Sequence, residues 1–342
     1  MRANKLSLTM IKHLRRWAIG WLVALTTLAA IVGLQSQTPA QSSPELSLDR
    51  AGLSLEELAD GVYGLIASTD FPPSDPTLAI CNGGIVIGSE GVLVVDPFQT
   101  EELANLLFST VAELTDQPIR YVVNTHYHFD HSGGNAAAEA LGLPILGRGP
   151  IRELMLSRNL ELDPNATPPD VIVNGTGELW LGDRQVQLRE FDGHSGGTDL
   201  VAYISDADVL IAGDLLFSQR LPYLADGNIR LWQQTLEALT ADYSTATILP
   251  GHGPVSDRTH LTTLKDYLEQ LETWALQWQA AGLSEAEAVE QTSLPDPYSD
   301  YLFQALFSGN LEVAYQQITL GHNDAAAIKQ YFQAQAPVLQ AL

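Results

Sequence analysis

The sequence predicts an α/β fold, and three observations predict it. Short runs of Val, Ile and Leu, such as residues 92–95 and 209–212, read as strands covered on both faces. Helix signals follow the strands, the clearest being Thr100 as an N-cap ahead of Glu101 and Glu102. After residue 257, Leu261, Leu264, Leu268, Leu271 and Trp274 recur at helical spacing, the stripe of a long amphipathic helix.

With 342 residues, 45% of them hydrophobic, the chain can bury the core of one large domain or of one domain plus an extension. Residues 1–40 hold Arg2, Lys5, Lys12, Arg15 and Arg16 and no acidic residue, and an apolar run fills residues 17–34. With Thr38 and Ala40 after it, this reads as a secretory signal peptide. The run also reaches the lower limit for a membrane span, so an uncleaved N-terminal anchor is the alternative. Arg15-Arg16 fits twin-arginine export only weakly. Either way the body is expected to be exported, to the periplasm or the extracellular space, and to meet a membrane only through this segment. The predicted organisation is residues 1–44 as signal or anchor plus linker, 45–256 as the main domain, and 257–342 as a helical extension. A formal charge of −24, with none of the acids in the first forty residues, repels phosphate backbones and argues against nucleic-acid partners. The single cysteine, Cys81, excludes an intramolecular disulfide and reads as a buried packing thiol.

From residue 58 the pattern turns β. Residues 62–67, 84–88 and 92–96 read as strands, the last two joined by Ser89-Glu90-Gly91, which is hairpin-turn chemistry. A helix from Glu101 to about Thr115 leads to a strand at 120–123. Then comes Asn124-Thr125-His126-Tyr127-His128-Phe129-Asp130-His131-Ser132-Gly133-Gly134-Asn135. It holds three of the eight histidines, and in extended backbone His126, His128 and Asp130 project to one side. Neutral imidazoles and carboxylates converging on a point are ligands that Zn²⁺ accepts.

Ser132 is expected to cap a helix through residues 136–140, while Gly133-Gly134 permits close backbone approach. A strand at 144–146, a helix over 151–158 and a loop over 159–170 follow. Residues 171–173, 178–181 and 185–191 read as three strands at hairpin spacing. His194 sits in a glycine-rich turn ahead of an apolar strand. Residues 209–217 carry an apolar strand that ends at Gly213-Asp214, and a carboxylate there needs a charged or donor partner. His252 repeats the arrangement of apolar strand, tight turn and histidine. Ser284 and Glu287 form a capping box, and residues 297–342 read as mostly helical, with Tyr298, Tyr301, Phe303, Phe307 and Tyr315 able to pack on the main domain and wall a cleft.

The motif His126-x-His128-x-Asp130-His131, followed in order by His194, Asp214 and His252, resembles the metallo-β-lactamase superfamily over roughly residues 58–254. The resemblance implies a four-layer αβ/βα metallo-β-lactamase sandwich, with the metals at the common sheet edge and a C-terminal α-helical extension. It implies two zinc ions per chain: His126, His128 and His194 hold one, Asp130, His131 and His252 the other, and Asp214 bridges them or joins the second. Asp96 falls beneath that site, either as a supporting hydrogen-bond partner or as a turn aspartate before Pro97. Asp130 is implied as the catalytic residue, orienting the attacking water. No Gly-x-Ser-x-Gly elbow or Cys–His pair occurs, which suits chemistry without a protein nucleophile.

Subfamily differences narrow the substrate. Class B β-lactamases of the commonest type place a cysteine where Asp214 stands, and a lysine shortly after it. Here only Arg220 follows, which counts against efficient β-lactam hydrolysis. Glyoxalase II enzymes use a basic C-terminal segment, whereas Lys329 is the only base after Lys265. The similarity is greatest to exported lactamase-like hydrolases of the sulfur-oxidation and quinoprotein-associated type. The sequence therefore predicts a dinuclear zinc hydrolase of a small amide, lactone, ester or thioester. A mononuclear iron enzyme resembling persulfide dioxygenases and a non-catalytic metal-binding accessory protein are the alternatives.

Overall fold

A computed structural model describes residues 46–159 and 162–320. The signal or anchor expected at residues 1–44 and the final stretch from 321 lie outside the described residues. Among the described residues no helix is long and apolar enough to cross a membrane.

The first sheet has seven strands in sequence order: β1 (Leu53–Ala59), β2 (Val62–Ala67), β3 (Gly83–Gly88), β4 (Gly91–Val95), β5 (Ile119–Val123), β6 (Ile145–Arg148) and β7 (Val171–Val173). Strands β1 to β4 pair antiparallel, and β4 to β7 pair parallel. Parallel neighbours need crossovers. Helices supply them: α1 (Glu101–Leu114), α2 (Phe129–Ser132), α3 (Asn135–Ala140) and α4 (Ile151–Arg158). The Thr100 side chain accepts from the Leu103 amide as the predicted cap of α1.

The second sheet has five strands: β8 (Thr176–Trp180), β9 (Gln185–Glu190), β10 (Leu200–Ile204), β11 (Val209–Phe217) and β12 (Thr247–His252), in the order β12-β11-β10-β9-β8. All pair antiparallel except β11 with β12, which α5 (Ile229–Asp242) connects. The inner faces of the two sheets meet in one apolar layer that includes Val62, Leu93, Val123, Leu200 and Ile211. Helix α1 covers the outer face of the first sheet through Leu103, Leu107 and Val111. Helix α5 and α6 (Arg258–Ala281) cover the second through Trp232, Leu236, Leu264 and Leu268. The four layers are therefore αβ/βα. Each such side chain stabilises the packing by roughly 1.5–3 kcal/mol.

The predicted stripe of α6 is in place, with Leu261, Leu264, Leu268 and Leu271 buried and Trp274 packed against them. Helices α7 (Glu285–Gln291) and α8 (Phe307–Ala314), followed by the π-helical turn Tyr315–Leu320, pack on the same cluster. The Ser284–Glu287 capping box is formed.

Four expectations change. Strand β1 begins before residue 58; it is a sheet edge with Glu56 and Glu57 exposed, so its sequence carries no apolar alternation. Residues 171–173 do not form a hairpin with the next strand: β7 pairs with β6 in the first sheet, and the chain then crosses to the second sheet for β8. Ser132 does not cap a helix. It lies inside α2 and donates to the Tyr127 and His128 carbonyls, while Gly134 takes the cap position of α3. Finally, β11 does not end at Gly213-Asp214 but runs to Phe217, with a register break around Gly213, whose φ is +54°. That break is what turns Asp214 out of the ladder and into the site.

Candidate metal centre

The residues singled out in the sequence converge where the C-terminal ends of β5 and β12 meet the kink in β11. Beyond β5, the buried Asn124 and Asn135 exchange side-chain hydrogen bonds of 2.7 and 3.0 Å, fixing the loop that carries the histidines. The backbone bends over residues 125–127, and His128, at φ −58° and ψ 145°, is the residue from which α2 starts. Asp130 and His131 then lie in α2. The extended projection of His126, His128 and Asp130 to one side is thus corrected: helix α2 swings Asp130 away to join His131. Gly133 and Gly134 pass so close to the Gln99 and Pro97 carbonyls that a Cβ would overlap them, as expected of a close approach.

Seven side chains gather into two groups, His126, His128, His194 and Asp214 in one and Asp130, His131 and His252 in the other. In the first, His126 Nε2 lies 3.0 Å from His128 Nδ1, and Asp214 Oδ2 lies 3.6 Å from both His126 Nε2 and His194 Nε2. In the second, Asp130 Oδ2 lies 3.5 Å from His131 Nε2 and 3.3 Å from His252 Nε2. Asp214 Oδ1 faces this second group, 3.0 Å from His131 Nε2 and 3.2 Å from His252 Nε2. The two oxygens of one carboxylate therefore address the two groups.

Each imidazole turns one nitrogen inward and the other onto an oxygen. His126 Nδ1 meets Thr125 Oγ1 at 3.0 Å, His128 Nε2 meets Asp226 Oδ2 at 3.2 Å, and His131 Nδ1 meets Asp96 Oδ2 at 2.8 Å. His252 Nδ1 meets the Ile80 carbonyl at 3.0 Å, whereas His194 Nδ1, 3.5 Å from Asp199 Oδ1, makes no hydrogen bond. Such outer partners fix ring orientation and tautomer in metal-binding histidines. Asp199 also accepts from the His194 and Ser195 amides, which holds the glycine-rich turn.

The electrostatics favour a cation. Burial works against the charge on His131, yet the carboxylates Asp214, Asp130 and Asp96 raise its pKa well above the usual imidazole range. Burial would lift the Asp214 carboxyl, but His252, His131 and His126 hold it well below the usual carboxylate range. Fit to a metal pair is tested by polar atoms without partners. His194 Nε2 and Asp214 Oδ1 are buried and make no hydrogen bond; the 3.0 Å approach of His131 to Asp214 Oδ1 lacks hydrogen-bond angles. Stranding a buried polar group costs about 1–3 kcal/mol. Ligands of a tetrahedral zinc at about 2 Å stand roughly 3.3 Å apart, which is the spacing of the inward nitrogens and oxygens here. The residues fit.

Several supporting residues escaped the sequence reading. Asp226 accepts from the Tyr127 hydroxyl and pairs with Arg158, as well as meeting His128. Burial opposes its charge, but His128, Arg158 and Tyr127 keep its carboxyl down at about 2. Nothing in Leu224-Ala225-Asp226-Gly227 announces this. Asn82 is buried and donates to the Pro250 and Gly253 carbonyls at 2.9 and 2.8 Å, clasping the turn that presents His252. The ring of His252 stacks on Phe217 and meets Phe303 edge-on. Cys81 is fully buried, its thiol donating to the Asp130 carbonyl at 2.9 Å, and His260 belongs to neither group. Arg220 is half-buried, with its guanidinium carbon 5.8 Å from the centre of the Phe303 ring.

Fold and site together define a metal-binding αβ/βα sandwich whose ligand-type residues fall into two adjoining groups. The profile described as the Metallo-beta-lactamase superfamily matches residues 76–252, more than half of the chain, and the chain belongs to that superfamily. It is a metal-dependent hydrolase of that fold. The "Probable metallo-hydrolase YqgX" of Bacillus subtilis is 30% identical over 151 residues, 40% of this chain and 69% of that protein. The metallo-beta-lactamase IND-1 of Chryseobacterium indologenes is 27% identical over 50% of this chain and 71% of its own length. A hydroxyacylglutathione hydrolase of Anaeromyxobacter dehalogenans is 34% identical, but over 29% of this chain and 33% of that protein. Among solved structures, a metallo-beta-lactamase from Pontibacter korlensis superposes with a TM-score of 0.56 at 22% identity, covering 64% of this chain and 99% of its own. That likeness is one of fold.

Proposed function

We propose that the chain is a dinuclear zinc hydrolase acting on a small amide, lactone, ester or thioester. The observation that carries this reading is the placement of Asp214, whose Oδ1 faces His131 and His252 while Oδ2 faces His126 and His194. His126, His128 and His194 would hold one ion, Asp130, His131 and His252 the other, with Asp214 between them. When bound, a zinc pair polarises a scissile carbonyl and lowers the pKa of an adjoining water to about 7. Asp130 is the residue that meets the substrate side. Its carboxylate is 18% exposed, against 2% for that of Asp214. With Oδ2 turned to His131 and His252, Asp130 would orient the attacking water through its other carboxylate oxygen. The outward contacts of His126, His128, His131 and His252 orient the rings so that their inward nitrogens point at the centre, and ligation would displace any proton they carry.

The substrate is a small molecule rather than nucleic acid, which the formal charge of −24 opposes. Export follows from the charge and apolar pattern of residues 1–40, and the same pattern supports kinship with the exported, sulfur-oxidation and quinoprotein-associated lactamase-like hydrolases. Two measurements test the reading. Metal analysis of the purified protein should give about two zinc per chain, and one iron per chain would favour the persulfide-dioxygenase-like alternative. A hydrolase screen of the zinc-loaded protein across lactams, lactones, esters and thioesters should find turnover that chelation abolishes. Two bound zinc ions with no turnover of any class would favour a metal-binding accessory role.

A further inference from the structure

Apart from the His131 ring of its own group, edge-on at 5.3 Å and 79°, three elements enclose the ring of His252. Phe217, from β11, stacks on it at 4.8 Å with an interplanar angle of 13°, and the Ile80 carbonyl, from the loop between β2 and β3, holds Nδ1. The third is Phe303, edge-on at 5.2 Å and 67°, which belongs to the segment between α7 and α8, some fifty residues beyond the end of the superfamily match at residue 252.

Phe303 is itself held from several sides. It is buried, and its φ of +65° is a left-handed conformation that a phenylalanine rarely adopts. Such a residue persists only where its surroundings over-determine it. Its amide donates to Asp70 Oδ1 at 2.7 Å, an oxygen that also takes the Phe71 amide at 2.8 Å. The Phe71 ring lies 5.8 Å away, and the Arg220 guanidinium stands over the ring at 5.8 Å. On its N-terminal side, Leu302 exchanges backbone hydrogen bonds with Gln219 and Leu221, just past the end of β11. The ring contacts of Phe303 reach one histidine of the centre, His252, and none of His126, His128 or His194.

We propose that Phe303 is a positioning residue for His252, so that the C-terminal segment forms part of the second metal half-site. The physical reason is rotational. A histidine tethered by one hydrogen bond at Nδ1 can still swing about its side-chain bonds, and Phe217 packs one face only. The edge of Phe303 closes the remaining arc, which keeps Nε2 directed at Asp130 and Asp214. Removing that ring leaves His252 free to leave the second group while the first group keeps all its contacts. The inference rests on reading Asp130, His131 and His252 as a metal-binding group.

Cobalt(II) titration of the metal-free full chain, followed by visible absorption, tests it. Phe303→Gly suits the left-handed backbone, and Phe303→Leu keeps most of the volume; Tyr298→Leu, on the same segment and packed on Tyr267 rather than on the site, is the control. In both Phe303 variants the second cobalt equivalent should bind at least about tenfold more weakly, in keeping with lost orientation of a ligand, while the first stays within about twofold of the parent. Tyr298→Leu should lower the melting temperature without separating the two equivalents. Parent-like binding of both equivalents in the Phe303 variants overturns the inference and leaves the metal-centre reading intact. So does a parallel loss of both equivalents that tracks melting temperature in all three variants. A parent chain that takes up no second equivalent overturns both.

Discussion

Asp96 Oδ2 lies 2.8 Å from His131 Nδ1, and the same oxygen accepts the Thr125 hydroxyl at 2.7 Å. The other oxygen accepts the Thr125 amide at 2.7 Å, so the carboxylate is fully used and buried beneath the second metal group. Of the two readings the sequence left open, the supporting role is the one the structure bears out. Asp96→Asn would direct an amide N–H₂ at His131 Nδ1 and push the imidazole proton to Nε2, the nitrogen that faces the site. Zinc affinity is expected to fall roughly 10–100-fold, with far-UV circular dichroism unchanged. Competition titration against a chelator measures it, and parent-like affinity would rule out the orienting role.

His128→Ala is expected to remove zinc binding in the first group and all activity, because an imidazole is lost where His126, His194 and Asp214 converge. His260→Ala should do neither. His260 stands in the first turn of α6, lining a small cavity with Tyr267, Tyr298 and Tyr301 rather than either metal group. Metal content and turnover of the two variants, measured side by side, check this. Equal losses would show that the ligand assignment is wrong.

The seven ligand-type residues were legible because each stands where a polar or glycine-bearing stretch interrupts the apolar pattern beside or at the end of a strand. Their sorting into two groups was not legible from spacing alone. Period-two projection placed Asp130 with His126 and His128, and only the onset of α2 at Phe129 moves it. The supporting residues were harder still. Asn82, Asp199 and Asp226 act through contacts across long sequence separations or through backbone amides, and neither leaves a periodic trace. The sheet change between β7 and β8 was hidden for a related reason: two adjacent edge strands look like a hairpin when only their spacing is known. The outer helices α1 and α6, by contrast, carried a cap and a stripe that are local and legible, whereas α5, capped by Asn228, was not read from the sequence.

Cys81 should be inert in the native protein. Burial pushes its thiol up to about 12, against a lesser pull from His131, and the thiolate is the reactive species. A raised thiol pKa means that the proton stays on throughout the neutral range and leaves only in strong alkali. At pH 8 the folded chain is expected to show no reaction with a thiol-specific disulfide dye, and one equivalent after unfolding in guanidinium. Rapid labelling of the folded protein would mean that the loop carrying Cys81 opens readily.

Asn82 offers a stability prediction that is also a site prediction. Its amide donates to two carbonyls of the His252 turn, and its oxygen accepts the Ala67 amide at 2.9 Å. Asn82→Ala strands these buried groups at about 1–3 kcal/mol each, less where water enters. A lower midpoint of urea unfolding is expected, with zinc lost earlier in the titration than in the parent. An unchanged midpoint would show that the turn is held without the clasp.

The sharpest prediction concerns Asp214. Its oxygens face different groups, Oδ1 toward His131 and His252 and Oδ2 toward His126 and His194. A residue so placed touches both groups, and its loss should be felt by both ions. Asp214→Asn replaces one oxygen by an uncharged N–H₂ that cannot ligate, and it removes one of the two carboxylates among the seven ligand-type residues. Whichever way the amide turns, one group loses its shared anion and the other keeps a weaker, neutral oxygen. Binding of both ions should therefore weaken. Were Asp214 only a hydrogen-bond partner for the histidines, the substitution would keep near-full stoichiometry and cost at most roughly 10–100-fold in affinity. Zinc titration of this single variant, read as equivalents bound rather than as rate, separates the two outcomes. Retention of two equivalents would assign Asp214 to orientation and leave the ions to be held by the histidines and Asp130.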